Sequence, residues 1–163
     1  MHDCSSHETP SYAFDRIRCD GSMATALEKS YYDELLAISD YMYQSIVTER
    51  TKPHLSLLFS DIAMEEMRHF RTVGRLIFAM GHNPSIQLKI RQSVPTDREL
   101  CDDSEPALRR QIRKNLADEK AAYHEYLRLA ELTCDGAVHD ILCRLAADER
   151  RHEKALAEAY DAL

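Results

Sequence analysis

The sequence predicts an all-α protein: an antiparallel four-helix bundle with one long crossover between its second and third helices. Three observations lead there. Apolar residues recur with helical period through four long segments. The links between those segments are short, long and short, which makes two antiparallel hairpins joined by one crossover. Only 4 glycines and 5 prolines occur in 163 residues, too few for the turns of an all-β fold. The length suits one domain with a real core.

Taken in order, residues 1–21 are polar and aperiodic and read as an N-terminal arm, and residues 22–163 make up the bundle. Thr25 to Glu28 has the form of a capping box for the first helix, with Ser22 as an alternative start. That helix extends to about Arg50. Pro53 opens the second, which runs to Met80 and stops at Gly81 and Pro84. The stretch 85–103 carries Pro95 and no sustained period, and serves as the crossover. Ser104, Glu105 and Pro106 look like the cap and first turn of a third helix that reaches about Thr133. A tight turn over Cys134–Gly136 leads into the fourth, which continues to the C-terminus.

Composition excludes several classes. A formal net charge of -7 argues against nucleic acid as a main partner, because a phosphate backbone selects a basic surface. No apolar run approaches the roughly 20 residues that cross a bilayer, and the polar N-terminus lacks the layout of a signal peptide, so the protein reads as cytoplasmic. The five cysteines (Cys4, Cys19, Cys101, Cys134 and Cys143) contain no C-x-x-C pair and read as reduced thiols. His2, Cys4 and His7 sit in the polar arm. His54, His82, His124 and His139 fall off the apolar stripes and read as surface residues, and 109–114 reads as a solvated basic face with Ile112 turned inward.

The polar residues on those stripes carry the chemistry. In the fourth helix Leu142, Leu145, Glu149, His152, Leu156 and Ala159 form one inward seam. The second helix repeats it with Ile62, Glu66, His69, Val73 and Leu76 or Ile77. The first helix offers Leu27, Tyr31, Glu34, Ile38, Tyr41 and Ser45. The third offers Leu108, Ile112, Asn115 or Leu116, Glu119, Tyr123, Tyr126 and Ala130. Every helix therefore places one glutamate near the middle of its stripe, and two helices add a histidine one turn on.

An unpaired buried carboxylate costs several kcal/mol, and four converging on one core would also repel each other. Either the stripes do not face inward or something cationic sits among them. Two divalent metals balance four carboxylates, and histidine supplies a neutral nitrogen ligand. One Glu from each of two helices, with Glu-x-x-His from each of the other two, is the donor pattern of di-iron and di-manganese carboxylate bundles.

On these residues the sequence resembles the ferritin-like superfamily, most closely rubrerythrins and bacterioferritins. Residues 33–41, "DELLAISDY", look like the rubrerythrin first-helix motif, with Tyr41 seven residues after Glu34. "EMRH" at 66–69 and "ERRH" at 149–152 match the paired motifs of the second and fourth helices, and Glu119 falls at the third-helix glutamate. The resemblance covers residues 24–160 and implies two iron ions, or manganese; the mixed carboxylate and imidazole donors also suit zinc. It implies Glu66 and Glu149 as bridges, Glu34 and Glu119 as terminal ligands, and His69 and His152 as one nitrogen ligand for each metal. The second third-helix glutamate usual in rubrerythrins is missing: Leu116 and Ala122 stand on either side of Glu119. The six-ligand set is thus that of ferritins.

The function implied is a ferroxidase or peroxidase, oxidising Fe(II) with reduction of O2 or hydrogen peroxide in defence against oxidative stress. The cysteines form no rubredoxin-type centre, so a peroxidase needs an external electron donor such as a rubredoxin-like protein. A homodimer is expected. The alternatives are a ferritin-type storage cage subunit, a manganese catalase-like dismutase and a metal-free bundle. Tyr41 and Tyr123 are the phenols expected to hydrogen-bond ligand carboxylates, with Tyr126 ranked beside Tyr123. Each proposed ligand glutamate follows another acid, and Glu65 reads as a flanking acid near an iron entry route.

Overall fold

The computed structural model of the chain describes residues 21–86 and 102–163, together with Ile17. Four helices lie among the described residues: α1 (Gly21–Thr48), α2 (Pro53–Ala79), α3 (Glu105–Leu132) and α4 (Gly136–Asp161). α1 packs along α2 and α3 along α4, giving the two hairpins that the link lengths predict. Most of the crossover and most of the N-terminal arm, with His2, Cys4 and His7, lie outside the described residues. Ile17 packs against the core. No helix among the described residues is long and apolar enough to cross a membrane.

The helix ends follow local chemistry, with one correction. α1 begins at Gly21, so Thr25 and Glu28 lie inside it and form no capping box. The Thr25 hydroxyl instead donates to the Gly21 carbonyl at 3.2 Å. Between α1 and α2 the amides of Thr51 and Lys52 donate back to the Thr48 carbonyl, and Pro53 occupies the first turn of α2, where its missing N–H is not needed. α2 ends in a Schellman turn. Gly81 adopts φ +85, and the His82 and Gly81 amides donate to the carbonyls of Ile77 and Phe78. α4 is capped by Asp135, whose carboxylate accepts from the amides of Ala137 (2.9 Å) and Val138 (3.2 Å).

The predicted seams do face inward. They form two apolar clusters, one at each end of the bundle. Leu27, Val73, Leu76, Leu129, Leu142 and Leu145 belong to the first, and Tyr41, Phe59, Ile62, Leu108, Ile112 and Leu156 to the second. Each such side chain stabilises the fold by about 1.5–3 kcal/mol when fully buried. In α3 the inward place between Ile112 and Glu119 goes to Asn115, which exchanges amide hydrogen bonds with Gln44 of α1 (2.8 and 3.3 Å). Near the first cluster Tyr31 stacks on Phe70 with ring centroids 4.2 Å apart. A Cβ on Gly74 would stand 2.9 Å from the Tyr31 ring, so this helical glycine makes room for that stack. Between the two apolar ends lies a polar layer.

Candidate metal centre

Glu34, Glu66, His69, Glu119, Glu149 and His152 meet in that layer, all between 1 and 5% exposed. Each hairpin brings one glutamate from its first helix and a Glu-x-x-His pair from its second. The i,i+3 spacing puts each histidine one turn above its own glutamate on the same face. His69 Nδ1 lies 3.1 Å from Glu66 Oε2, 3.1 Å from Glu149 Oε1 and 3.8 Å from Glu34 Oε2. His152 Nδ1 lies 3.0 Å from Glu66 Oε1 and 3.2 Å from both Glu119 Oε2 and Glu149 Oε2.

These atoms sort into two donor groups, each with its members within 4.8 Å of one another. One is Glu34, Glu66, His69 and Glu149. The other is Glu66, Glu119, Glu149 and His152. Glu66 and Glu149 belong to both, the positions of bridging carboxylates. The donor set suits divalent metals. Glu66 Oε1 and Glu149 Oε1 are buried and accept no hydrogen bond, although a histidine nitrogen stands near each at an angle unsuited to one. A buried carboxylate oxygen without a donor costs on the order of 1–3 kcal/mol or more, and a cation between the two groups removes that cost. Carboxylate and imidazole donors fit iron, manganese or zinc.

The electrostatics of the metal-free layer agree. Burial, reinforced by the Glu66 carboxylate, holds the Glu34 carboxyl well above the usual range. Burial likewise pushes Glu119 up to about 8. Burial also works against ionisation of Glu66 and Glu149, but their contacts with His152 and His69 outweigh it and hold both below the usual range. The histidines are raised: burial opposes their charge and is overcome by Asp148, Glu149 and Glu66 around His69, and by Glu119, Glu149 and Glu65 around His152. The shifts thus favour neutral Glu34 and Glu119, ionised Glu66 and Glu149 and protonated histidines, so that opposite charges offset one another within the layer. Four carboxylates, two neutral imidazoles and two divalent cations would balance as well.

The surrounding residues orient the donors. Tyr41 of α1 donates its hydroxyl to Glu119 of α3, and Tyr126 of α3 donates to Glu34 of α1. Each tyrosine therefore serves the glutamate of the other hairpin. Tyr123 does not take the place expected for it. It is half-buried, sits edge-on to His124 and lies beneath the Arg150 guanidinium. The geometric reason is that Tyr123 is four residues past Glu119, whereas Tyr126, like Tyr41, is seven past its glutamate and two full turns along the same face. The repeated Glu-x6-Tyr spacing was the available signal.

The flanking acids Glu65 and Asp148 reach the histidines. Glu65 Oε2 lies 2.8 Å from His152 Nε2, and Asp148 Oδ2 lies 3.3 Å from His69 Nε2. Each histidine thus turns Nδ1 to the donor cluster and Nε2 to an acid on the opposite hairpin. That acid favours the tautomer protonated at Nε2, leaving the Nδ1 lone pair for a metal. Arg151 bridges the two acids, reaching Glu65 at 3.2 Å and pairing with Asp148, and Arg68 holds Glu65 at 3.0 Å. Glu65 is a partner of His152 within an ion-pair lattice.

Fold and site together define a helical bundle built around a shared carboxylate–histidine cluster able to hold metal. The chain belongs to the rubrerythrin family, whose sequence profile matches residues 25–160. No curated protein sequence matches it.

Proposed function

We propose that this rubrerythrin-family chain is a di-iron oxidoreductase that oxidises Fe(II) and reduces hydrogen peroxide or O2 to water, a ferroxidase or peroxidase. The observation that carries the reading is the pair of four-residue donor groups sharing Glu66 and Glu149. Glu34 with His69 and Glu119 with His152 would complete one metal each. Two bound iron ions would together supply the electron pair that cleaves an O–O bond. The chain's own contribution is positional. The shared glutamates would hold the two ions together, while Tyr41 and Tyr126 orient Glu119 and Glu34, and Glu65 and Asp148 orient the imidazoles. Six side chains would hold the two ions, and a groove beside Glu34 and Glu119 would give a small oxidant access to them. Turnover as a peroxidase draws electrons from an external donor such as a rubredoxin-like protein. A cytoplasmic setting suits Cys134 and Cys143, which form no disulfide among the described residues.

The same reading includes a homodimer. Tyr32, Leu36 and Ile46 of α1 and Leu57, Met64 and Met67 of α2 are exposed large apolar side chains on one hairpin. They are 43–69% exposed, and apolar side chains of this kind form the core of interfaces that bury roughly 800 Å² per partner. A second copy of the chain is the occupant this face suits. Sedimentation velocity separates the possibilities: a dimer supports the reading, a monomer removes it, and a shell of many subunits points to storage.

The activity test is anaerobic loading with Fe(II), followed by a pulse of hydrogen peroxide or O2 in separate samples. Consumption of one peroxide per two Fe(II), faster than in the Glu149→Ala variant, is the expected result. Oxidation no faster than that of free Fe(II) would remove the enzymatic reading.

A further inference from the structure

The two open sides of the bundle are built differently. On the α2–α4 side, the acids behind the histidines and the arginines that hold them close over the cluster. On the α1–α3 side there is a groove. Its outer part is a cavity of about 520 Å³, rimmed by Asp33, Asp40, Asp118 and Glu125. Its inner part, about 80 Å³, reaches Glu34, Glu119, Glu66 and Glu149. Ala37 and Ala122 line both parts, and their small side chains keep the passage between them open. Glu66 and Glu149, at the inner end, carry the two buried carboxylate oxygens that accept no hydrogen bond.

The groove is a repeat. The pattern Lys-x3-Asp-Glu-x2-Ala-x2-(Asp/Glu)-Tyr begins at Lys29 on α1 and again at Lys114 on α3. The repeat puts a ligand glutamate, a wall alanine, two rim acids and one lysine on each side. Lys114 straddles the mouth, 3.1 Å from Asp40 of α1 and 2.9 Å from Asp118 of α3. Its counterpart Lys29 pairs with Asp33, and its charge also reaches Glu125 across the groove. The rim acids are thus held by ammonium groups that are themselves more than half exposed.

We propose that divalent cations enter the buried centre through the α1–α3 groove, passing between Ala37 and Ala122, with Lys114 as the counter-ion they displace from Asp40 and Asp118. This rests on the metal-centre reading above. The acidic rim concentrates cations at the mouth, the lysine yields its carboxylates to a doubly charged ion, and the unbonded oxygens of Glu66 and Glu149 draw the ion inward. The passage admits an ion with a few waters and excludes anything much larger.

The probe is Co(II) alone, whose visible absorption reports coordination, mixed with the metal-free protein in a stopped-flow instrument. The wild type should bind two Co(II) per chain. Ala122→Phe should reach the same endpoint at least about tenfold more slowly. Ala37→Leu, on the opposite wall, should also load slowly and covers the case in which the larger ring lowers the endpoint. Lys114→Gln should load about fivefold faster at low salt, because one positive charge near the path repels a divalent ion by that order, and the gain should fade at high salt. Wild-type rates in both wall variants, with full endpoints, would overturn the route and leave the centre standing. A wild type that binds no Co(II) would overturn the metal-centre reading and the route with it.

Discussion

Loading the centre with metal should expel close to four protons per chain at pH 7. The perturbation is addition of Zn(II) or Co(II) to metal-free protein. The number follows from the site. Before loading, Glu34 and Glu119 hold protons because burial raises both, Glu119 to about 8. His69 and His152 are protonated because the carboxylates around them outweigh burial. Glu66 and Glu149 are already ionised. Coordination requires all four carboxylates ionised and both Nδ1 atoms free, so four protons leave. By pH 9 Glu119 has lost most of its own, and the count should approach three. Metal affinity should therefore rise steeply with pH, with a slope that eases only from about four protons to about three above about pH 8. The assay is a pH-stat titration in weak buffer, checked by calorimetry in buffers of different ionisation enthalpy. Release of one proton or fewer at pH 7 would refute the assigned protonation states.

The same shifts fix the pH dependence of metal-free stability. For Glu119, whose folded value is raised, the contribution is present below about 4.5 and is lost as pH climbs through about 8. The histidine contributions are present below about 6.5 and are lost only above their raised values. Glu66 and Glu149, whose values are lowered, contribute above about 4.5 and lose that contribution in acid. The metal-free melting temperature should therefore fall between pH 7 and 9, and metal should flatten that decline.

Five substitutions test the surroundings of the site and its packing. Tyr126→Phe leaves the buried Glu34 carboxyl without its phenol and should cost about 1–3 kcal/mol in urea unfolding, whereas Tyr123→Phe should cost almost nothing. Glu65→Ala and Asp148→Ala, which strip the Nε2 partners from His152 and His69, should each weaken Zn(II) binding roughly ten- to a hundredfold in competition with a chelator. Equal affinity in all three proteins would show that those acids only decorate the surface. Gly74→Ala should lower stability by about 1–3 kcal/mol as its methyl meets the Tyr31 ring, less up to about 1 kcal/mol of helix propensity gained. A more stable variant would mean that the Tyr31–Phe70 stack shifts freely.

Much of this molecule is legible in the sequence because helical period and ligand spacing are the same information. Glu149 and His152 sit in a seam whose 3,4 spacing leaves one inward phase, and Glu66 and His69 repeat it. That is why six side chains that meet in one buried layer could be picked out from the sequence. What was not legible depends on how the hairpins face each other. Asp148 and Glu65 stand about 100° round their helices from the glutamates that follow them, so on their own helix they look like solvent-facing acids. Only the opposite hairpin makes them histidine partners. The exchange of Tyr41 and Tyr126 between hairpins is of the same kind, although the Glu-x6-Tyr repeat would have favoured Tyr126 over Tyr123. Of the two starts that the sequence offers for α1, the one at Ser22 lies within a residue of the observed Gly21, whereas Thr25 and Glu28 satisfy a capping pattern that the chain does not use because the helix extends back past them.

The central claim is that two metal ions share Glu66 and Glu149. Anaerobic equilibrium loading with Fe(II), followed by removal of free metal and counting of iron per chain, tests it most directly. The account predicts two per chain for the wild type, with loss of both in Glu66→Ala, because that residue serves both donor groups. One iron or none in the wild type, or two retained in Glu66→Ala, would contradict it.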